Sequence, residues 1–84
     1  MRIYLQTLHS DDEASRFYHL FLQQDLLGGW TLIKEWGFQG ASGRVQREFY
    51  PSREAAAEAM EKVRDQQIKR GYRVMFMQGD EPPV

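Results

Sequence analysis

The segment at residues 37–43 most constrains the fold, because it holds three glycines in seven residues between two stretches of alternating apolar side chains. Alternation with a period of two is typical of a strand with one buried face. Glycine readily adopts the positive φ angles of tight hairpin turns. The segment therefore predicts an antiparallel hairpin that joins a strand at residues 30–36 to a strand at residues 44–50.

Further strands are predicted before and after this hairpin. Residues 2–8 alternate, and residues 16–24 are so rich in aromatic and aliphatic side chains that both faces of that strand are expected to be partly covered. Gly28 and Gly29 then interrupt the chain, and residues 72–77 alternate again as a final strand. The sequence thus predicts five strands.

One helix is predicted between the last two strands. Ser52 is a good N-cap, Glu54 lies in the first turn where the helix dipole favours an anion, and Gly71 is a suitable C-terminal stop. Apolar side chains at spacings of three and four form a stripe that packs on a sheet: Ala56, Ala59, Met60 and Val63. The predicted order is β-β-β-β-α-β, an α+β antiparallel sheet with one long helix on one face. Residues 1–78 are expected to form one domain, with a disordered tail at 79–84.

Composition narrows the functional class. The 84 residues contain no cysteine and no apolar stretch long enough for a signal peptide or a membrane span, so we expect a cytoplasmic protein without disulfides or thiolate metal sites. The net charge is −1, which by itself argues against a nucleic-acid binder. However, residues 34–73 carry nine basic and six acidic side chains, a balance of +3 that the acidic ends conceal.

Several short motifs together resemble the WGR domain family. They occur in the family's order and spacing from about residue 16 to residue 73, and they are Gly28-Gly29-Trp30, Glu35-Trp36-Gly37, Gly43-Arg44-Val45 and Gly71-Tyr72. The family is named for a Trp-Gly-Arg tripeptide, whereas this chain has Trp36-Gly37-Phe38. The third position therefore departs from the family pattern.

The resemblance implies a module without catalysis of its own that binds nucleic acid. In poly(ADP-ribose) polymerases the motif Trp contacts DNA near a strand end by stacking on sugar, which makes Trp36 the matching candidate. The motif Arg there helps to form contacts between domains, and Phe38 cannot supply guanidinium hydrogen bonds. Small bacterial proteins also carry this domain, and the chain resembles those.

Alternatives remain open for the two aromatic candidates. Trp36 is either a core residue, because it shares a strand face with Trp30, or a partly exposed platform that stacks on a sugar or base. Phe38 is either a plug over the hairpin or an exposed stacking platform. If it instead belongs to an exposed apolar patch that contacts another protein, the chain is a protein-interaction or regulatory adaptor, which is the alternative function.

A basic set accompanies Trp36: Lys34, Arg44, Arg47, Lys69 and Arg70. If these side chains lie on one surface, they form a phosphate-binding stripe. Otherwise they are solvated, with Arg44 paired to Glu35 or Glu48 across the strands. We expect DNA to be the preferred ligand, bound weakly and in a salt-sensitive way by a monomer or weak dimer, with no membrane contact.

Catalysis has no support in the sequence. His9 and His19 are too few and too far apart for a metal site, and residues 11–13 lack the spacing of a calcium loop. No serine has the setting of a nucleophile, and no cofactor is expected. The chain is therefore predicted not to be an enzyme.

Overall fold

A computed structural model describes residues 1–8 and 14–79. Residues 11–13, which lack calcium-loop spacing, and the predicted tail beyond residue 79 lie outside these ranges. The elements in chain order are strands β1 (Arg2–Gln6), β2 (Arg16–Gln24), β3 (Trp30–Phe38) and β4 (Arg44–Tyr50), helix α1 (Arg53–Lys69) and strand β5 (Arg73–Gln78). This order confirms the predicted β-β-β-β-α-β arrangement.

The five strands form one antiparallel sheet in the order β4-β3-β2-β1-β5. Helix α1 leaves one edge strand, β4, and the chain returns at the opposite edge as β5. The helix packs mainly against the central strands β2 and β3 and lies on one face of the sheet. The other face is not covered by any described element, and we call it the open face.

The hydrophobic core lies between α1 and the sheet. Its buried members are Ile3, Leu5, Leu20, Leu22, Leu32, Ala56 and Met60. Trp30 is partly buried and packs against this core. The strand residues alternate between the helix-covered face and the open face, which is the arrangement predicted from the period of two.

The helix ends are capped as the sequence predicts. The Ser52 hydroxyl oxygen accepts a hydrogen bond from the Ala55 N–H at 3.1 Å. At the other end, Gly71 adopts a φ of 102° and the Tyr72 N–H donates to the Gln67 carbonyl at 3.0 Å. This cap turns the chain back and fixes the position of Tyr72 beside the sheet.

The glycines of the β3–β4 hairpin have two different roles. Gly40 has the expected positive φ, at 80°, whereas the left-handed conformation predicted for this connection is absent at Gly37 and Gly43. A Cβ atom on Gly43 would lie 2.8 Å from the Trp36 carbonyl oxygen, and one on Gly37 would lie 3.0 Å from the Gly43 Cα. These two glycines therefore allow the hairpin strands to approach each other beside Phe17.

Candidate functional site

Three aromatic rings meet where helix α1 ends over the sheet. Tyr18 in β2 lies directly opposite Trp36 in β3, and their rings are nearly parallel, with centroids 5.6 Å apart and planes inclined by 10°. Tyr72, positioned by the helix cap, meets the Tyr18 ring edge-on at 5.9 Å. Trp36 is only half-buried in this arrangement, so part of the indole remains accessible.

A cleft of about 580 Å³ opens at this cluster. It is lined by Thr7, Leu8, Ala14, Arg16, Tyr18, Trp36, Gln46, Gln67, Arg70 and Tyr72. The aromatic side chains supply flat apolar surface, and the polar side chains supply hydrogen-bond donors. We call this site the Trp36 cleft.

The described lining of the Trp36 cleft is positively charged. Arg16 and Arg70 contribute guanidinium groups, and no carboxylate is present among the described lining residues. The pKa of Tyr18 is raised, first by burial and then by the neighbouring Tyr72, while Arg70 opposes the shift. The Tyr18 hydroxyl therefore stays neutral at physiological pH, and the cleft keeps its positive charge.

The predicted basic residues occupy different places. Arg44 lies opposite Trp36 in the edge strand β4 and is exposed. Arg70 lines the cleft, and Lys69 is exposed in the last turn of α1 without lining it. Arg47 pairs with Ile33, on the open face of the sheet. The basic set is thus divided between two surfaces.

Lys34 is held by a carboxylate within the protein. Its ammonium forms an ion pair with Glu48, and its side chain is only 12% exposed. Glu48 also accepts a hydrogen bond from the Tyr50 hydroxyl at 2.7 Å, and the bonds from Lys34 and Tyr50 lower the pKa of Glu48. Among the described residues Glu48 therefore pairs with Lys34, and Arg44 has neither Glu35 nor Glu48 as an ion-pair partner.

Phe38 lies at the end of β3, beside the cleft. Its side chain is 47% exposed, and the Arg16 guanidinium lies 5.0 Å from the ring centroid. Arg16 is directly opposite Phe38 in the sheet register, and this contact was not anticipated from the sequence. Arg16, Tyr18 and Tyr72 are site residues that the sequence reasoning missed, because only the pairing of β2 with β3 and the turn after α1 bring them to Trp36.

The described residues contain neither a cluster of metal-ligating side chains nor a membrane-spanning helix. Within residues 1–8 and 14–79 there is no group of three or more His, Asp or Glu side chains that could hold a metal ion. No helix among these residues is long and apolar enough to cross a membrane. His19 lies on the open face between Tyr4 and Phe21, away from the Trp36 cleft.

Comparisons with known proteins agree with the resemblance drawn from the motifs. The WGR domain profile matches residues 1–77, which is nearly the whole chain. The chain is also 28% identical over 72 residues to y4dW, an uncharacterised protein of Sinorhizobium fredii (strain NBRC 101917 / NGR234). That match covers 86% of the chain but 35% of the relative's own length. No solved structure is significantly similar to the chain.

Proposed function

The chain belongs to the WGR domain family, a non-catalytic module that binds nucleic acid in poly(ADP-ribose) polymerases, and we propose that this chain binds DNA through the Trp36 cleft. The observation that carries the proposal is the half-buried indole of Trp36 in a cleft with two arginines and no described carboxylate. A stacking surface next to guanidinium groups suits a nucleotide, which has a flat base, a sugar and a negative phosphate.

Each part of the cleft has a role in this proposal. Trp36 stacks on a sugar or base near a strand end, and Tyr18 holds the indole in place from the opposite strand. Arg16, Arg44 and Arg70 contact phosphates around it, as arginines do through two parallel hydrogen bonds. Contacts of this kind read the backbone and not the base sequence.

The proposed contact set differs from the initial basic set. Lys34 is left out because its ammonium is already bound to Glu48 on the cleft side of the sheet. Arg47 is left out because it lies on the open face. Lys69 stays a peripheral candidate at the helix end, where an exposed lysine interacts with phosphate as a point charge.

The charge balance of the chain implies weak, salt-sensitive binding. Three phosphate contacts predict a log–log salt slope of about −2.7 for duplex DNA, at about −0.9 for each contact. A slope of this size means that affinity falls sharply between low and physiological salt. Binding is therefore best measured at low ionic strength.

The test measures the affinity of a nicked DNA duplex at several salt concentrations. Arg44→Ala and Arg70→Ala should each weaken binding and make the slope shallower by about 0.9, because each removes one phosphate contact. Lys62→Ala is the matched control, since Lys62 is exposed on α1 and forms an ion pair with Glu58 at 3.6 Å. If both arginine variants keep the wild-type slope, the Trp36 cleft is not the DNA-binding site.

A second candidate function is protein interaction at Phe38. The supporting observation is that this ring is 47% exposed although the family has a polar arginine at the position. In that case Arg44→Glu together with Arg47→Glu leaves partner binding intact, whereas Phe38→Ser abolishes it. If the chain instead binds DNA through the cleft, the charge reversal at Arg44 should abolish DNA binding.

A further inference from the structure

The open face of the sheet carries a continuous group of aromatic side chains. Tyr4 and Phe17 have nearly parallel rings with centroids 6.4 Å apart, and the Tyr4 ring also meets His19 edge-on at 5.8 Å. His19 is followed by Phe21, at 4.9 Å between ring centroids. Strand pairing places Phe76 next to Tyr4, so the group extends to the edge strand β5.

These rings are accessible. Tyr4, Phe17, His19 and Phe21 are half-buried, and Phe76 is 50% exposed. None belongs to the core between the sheet and α1, which takes the alternate residues of β1 and β2. Beyond them, Phe49 on the opposite edge strand is 76% exposed. The open face therefore offers several flat apolar surfaces that no described element covers.

Arginines are interleaved with the rings. The Arg2 guanidinium lies 5.9 Å from the Phe21 ring centroid, Arg47 is on the same row of the sheet beyond Ile33, and Arg73 pairs with Gln6. Glu35 is the carboxylate that the described strands place on this face, so three positive charges oppose one negative charge. The exposed carboxylates of α1 lie on the other side of the molecule: Glu54, Glu58, Glu61 and Asp65.

The charge distribution identifies the occupant. A negatively charged peptide would be attracted by the arginines, but the carboxylates that bind arginine give the rings no flat stacking partner. A nucleic acid with unpaired bases suits both the rings and the arginines of the open face, because bases stack on aromatic rings while phosphates bind arginine. A duplex keeps its bases stacked inside and cannot use the rings in this way.

We propose that the open face is a second binding surface, which takes single-stranded nucleic acid by stacking unpaired bases on Tyr4, Phe21 and Phe76. Arg2, Arg47 and Arg73 contact its phosphates. Adjacent strands lie about 4.8 Å apart, so five strands give a face roughly 19 Å wide. Four-stranded sheets of similar construction stack two or three bases, so this width suits a short unpaired segment.

One structural detail supports a fixed platform. The Gln39 side-chain amide donates a hydrogen bond of 2.6 Å to the Tyr4 hydroxyl, which ties the ring to the β3–β4 hairpin. The Gln39 N–H in turn donates to the Ser15 carbonyl at 2.8 Å. A ring restrained in this way loses little conformational freedom when a base stacks on it.

The first test uses the unaltered protein. Amide chemical shifts are followed by NMR during titration with an oligothymidylate of about ten nucleotides, within the length range of single-strand sites, and separately with a blunt duplex. The oligothymidylate should shift the amides of β1 and β2 around Tyr4 and Phe21, and the duplex should not. If the single strand shifts only the residues of the Trp36 cleft, the open face is not its site.

Two variants sharpen the test. Phe21→Leu should weaken oligothymidylate binding roughly 5- to 150-fold, the range expected for the loss of one base–aromatic stack. Arg47→Glu should weaken it and make the salt slope shallower by about 0.7. Lys62→Glu has the same charge change on the opposite side of the molecule and should leave oligothymidylate affinity close to that of the wild type. Equal losses of oligothymidylate affinity in Arg47→Glu and Lys62→Glu would overturn the proposal, since binding would then depend on the net charge of the protein and not on the open face.

Single-strand binding at the open face can be tested separately from duplex binding at the Trp36 cleft. Arg70→Ala should reduce nicked-duplex affinity while oligothymidylate still shifts the open-face amides. If open-face amides shift with protein concentration in the absence of any oligonucleotide, the face joins two copies of the chain and the proposal fails. Failure of duplex binding alone would remove the cleft function and leave the open-face inference standing.

Discussion

Tyr18 and Trp36 face each other across strands β2 and β3, with ring centroids 5.6 Å apart and planes inclined by only 10°. The antiparallel register brings them together, and the end of helix α1 leaves them partly uncovered. An aromatic pair of this kind adds about 0.5–1.5 kcal/mol beyond its buried area. The indole is thus held in one orientation before any ligand arrives, which is what a stacking contact requires.

The ion pair between Lys34 and Glu48 gives a first prediction. Lys34→Met should lower the free energy of unfolding by about 1 kcal/mol, between the values of exposed and fully buried pairs, since the lysine is 12% and the glutamate 35% exposed. The affinity of Lys34→Met for a nicked duplex should not change. Urea unfolding measures the stability and a DNA titration of the same preparation measures the affinity. Lys62→Met is the control, because the exposed ion pair of Lys62 with Glu58 should contribute little. A loss of DNA affinity without a loss of stability would return Lys34 to the contact set.

Glu48 also predicts how the fold responds to acid. Its pKa in the folded chain lies below the ordinary value of 4.5, because Lys34 and Tyr50 donate hydrogen bonds to the ionised carboxylate. The resulting stability is complete above the unfolded pKa and is lost as the pH falls through the folded pKa. The urea midpoint of the wild type should therefore fall between about pH 5 and pH 3, and Glu48→Gln should show a smaller fall. An identical acid response in the two proteins would contradict this assignment.

His19 predicts a second pH effect in a different range. Its pKa is lowered from 6.5, first by burial and then by the charge of Arg2, so protonation favours the unfolded chain. Stability is complete above the unfolded pKa and decreases as the pH falls below about 6.5. The melting temperature of the wild type should therefore be lower at about pH 5.5 than at about pH 7.5. In His19→Gln this particular difference should shrink, and an unchanged difference would show that another group causes it.

The tight hairpin beside Trp36 can be tested through Gly43. In Gly43→Ala the new methyl group would lie 2.8 Å from the Trp36 carbonyl oxygen and 3.0 Å from the Phe17 ring. Because the first of these atoms is backbone, the hairpin strands must move apart, and we expect a loss of about 1–3 kcal/mol in the free energy of unfolding. Gly79→Ala is the control, since no atom lies within 4 Å of its added methyl group. Thermal melts of the two variants should differ clearly, and similar melts would show that the hairpin has more room.

Much of the fold could be predicted because its signals are local. The bounds of β2 and β4 agree with the predicted residues 16–24 and 44–50. The structure also confirms Ser52 as the N-cap of α1 and Gly71 as the residue that ends the helix. Strand β3 extends to Phe38, two residues beyond the predicted end at Trp36. Glycine suggested a break there, but Gly37 continues the pairing and lies opposite Phe17.

The candidate site could be predicted only in part, because its members come from distant segments. Trp36, Arg44 and Arg70 were named from the sequence, but the packing of Tyr72 on Tyr18 depends on where the helix cap turns the chain. The partner of Glu48 depends on strand register, which composition cannot supply. For Arg47 the signal was available, since the period of two places it on the opposite face of β4 from Arg44, and the two side chains therefore cannot lie on one surface.

A fluorescence titration of a single-tryptophan protein tests the central claim most directly. Trp30 packs against the core, so Trp30→Phe should preserve the fold and leave Trp36 as the only indole. Titration with a nicked, 5′-phosphorylated duplex at low salt should give saturable quenching that weakens as salt is added. When affinity is measured with a dye-labelled duplex, Trp36→Phe should lower it, and Trp36→Ala should lower it roughly 5- to 150-fold. Unchanged fluorescence at saturating DNA, together with wild-type affinity in Trp36→Ala, would contradict DNA binding at the Trp36 cleft.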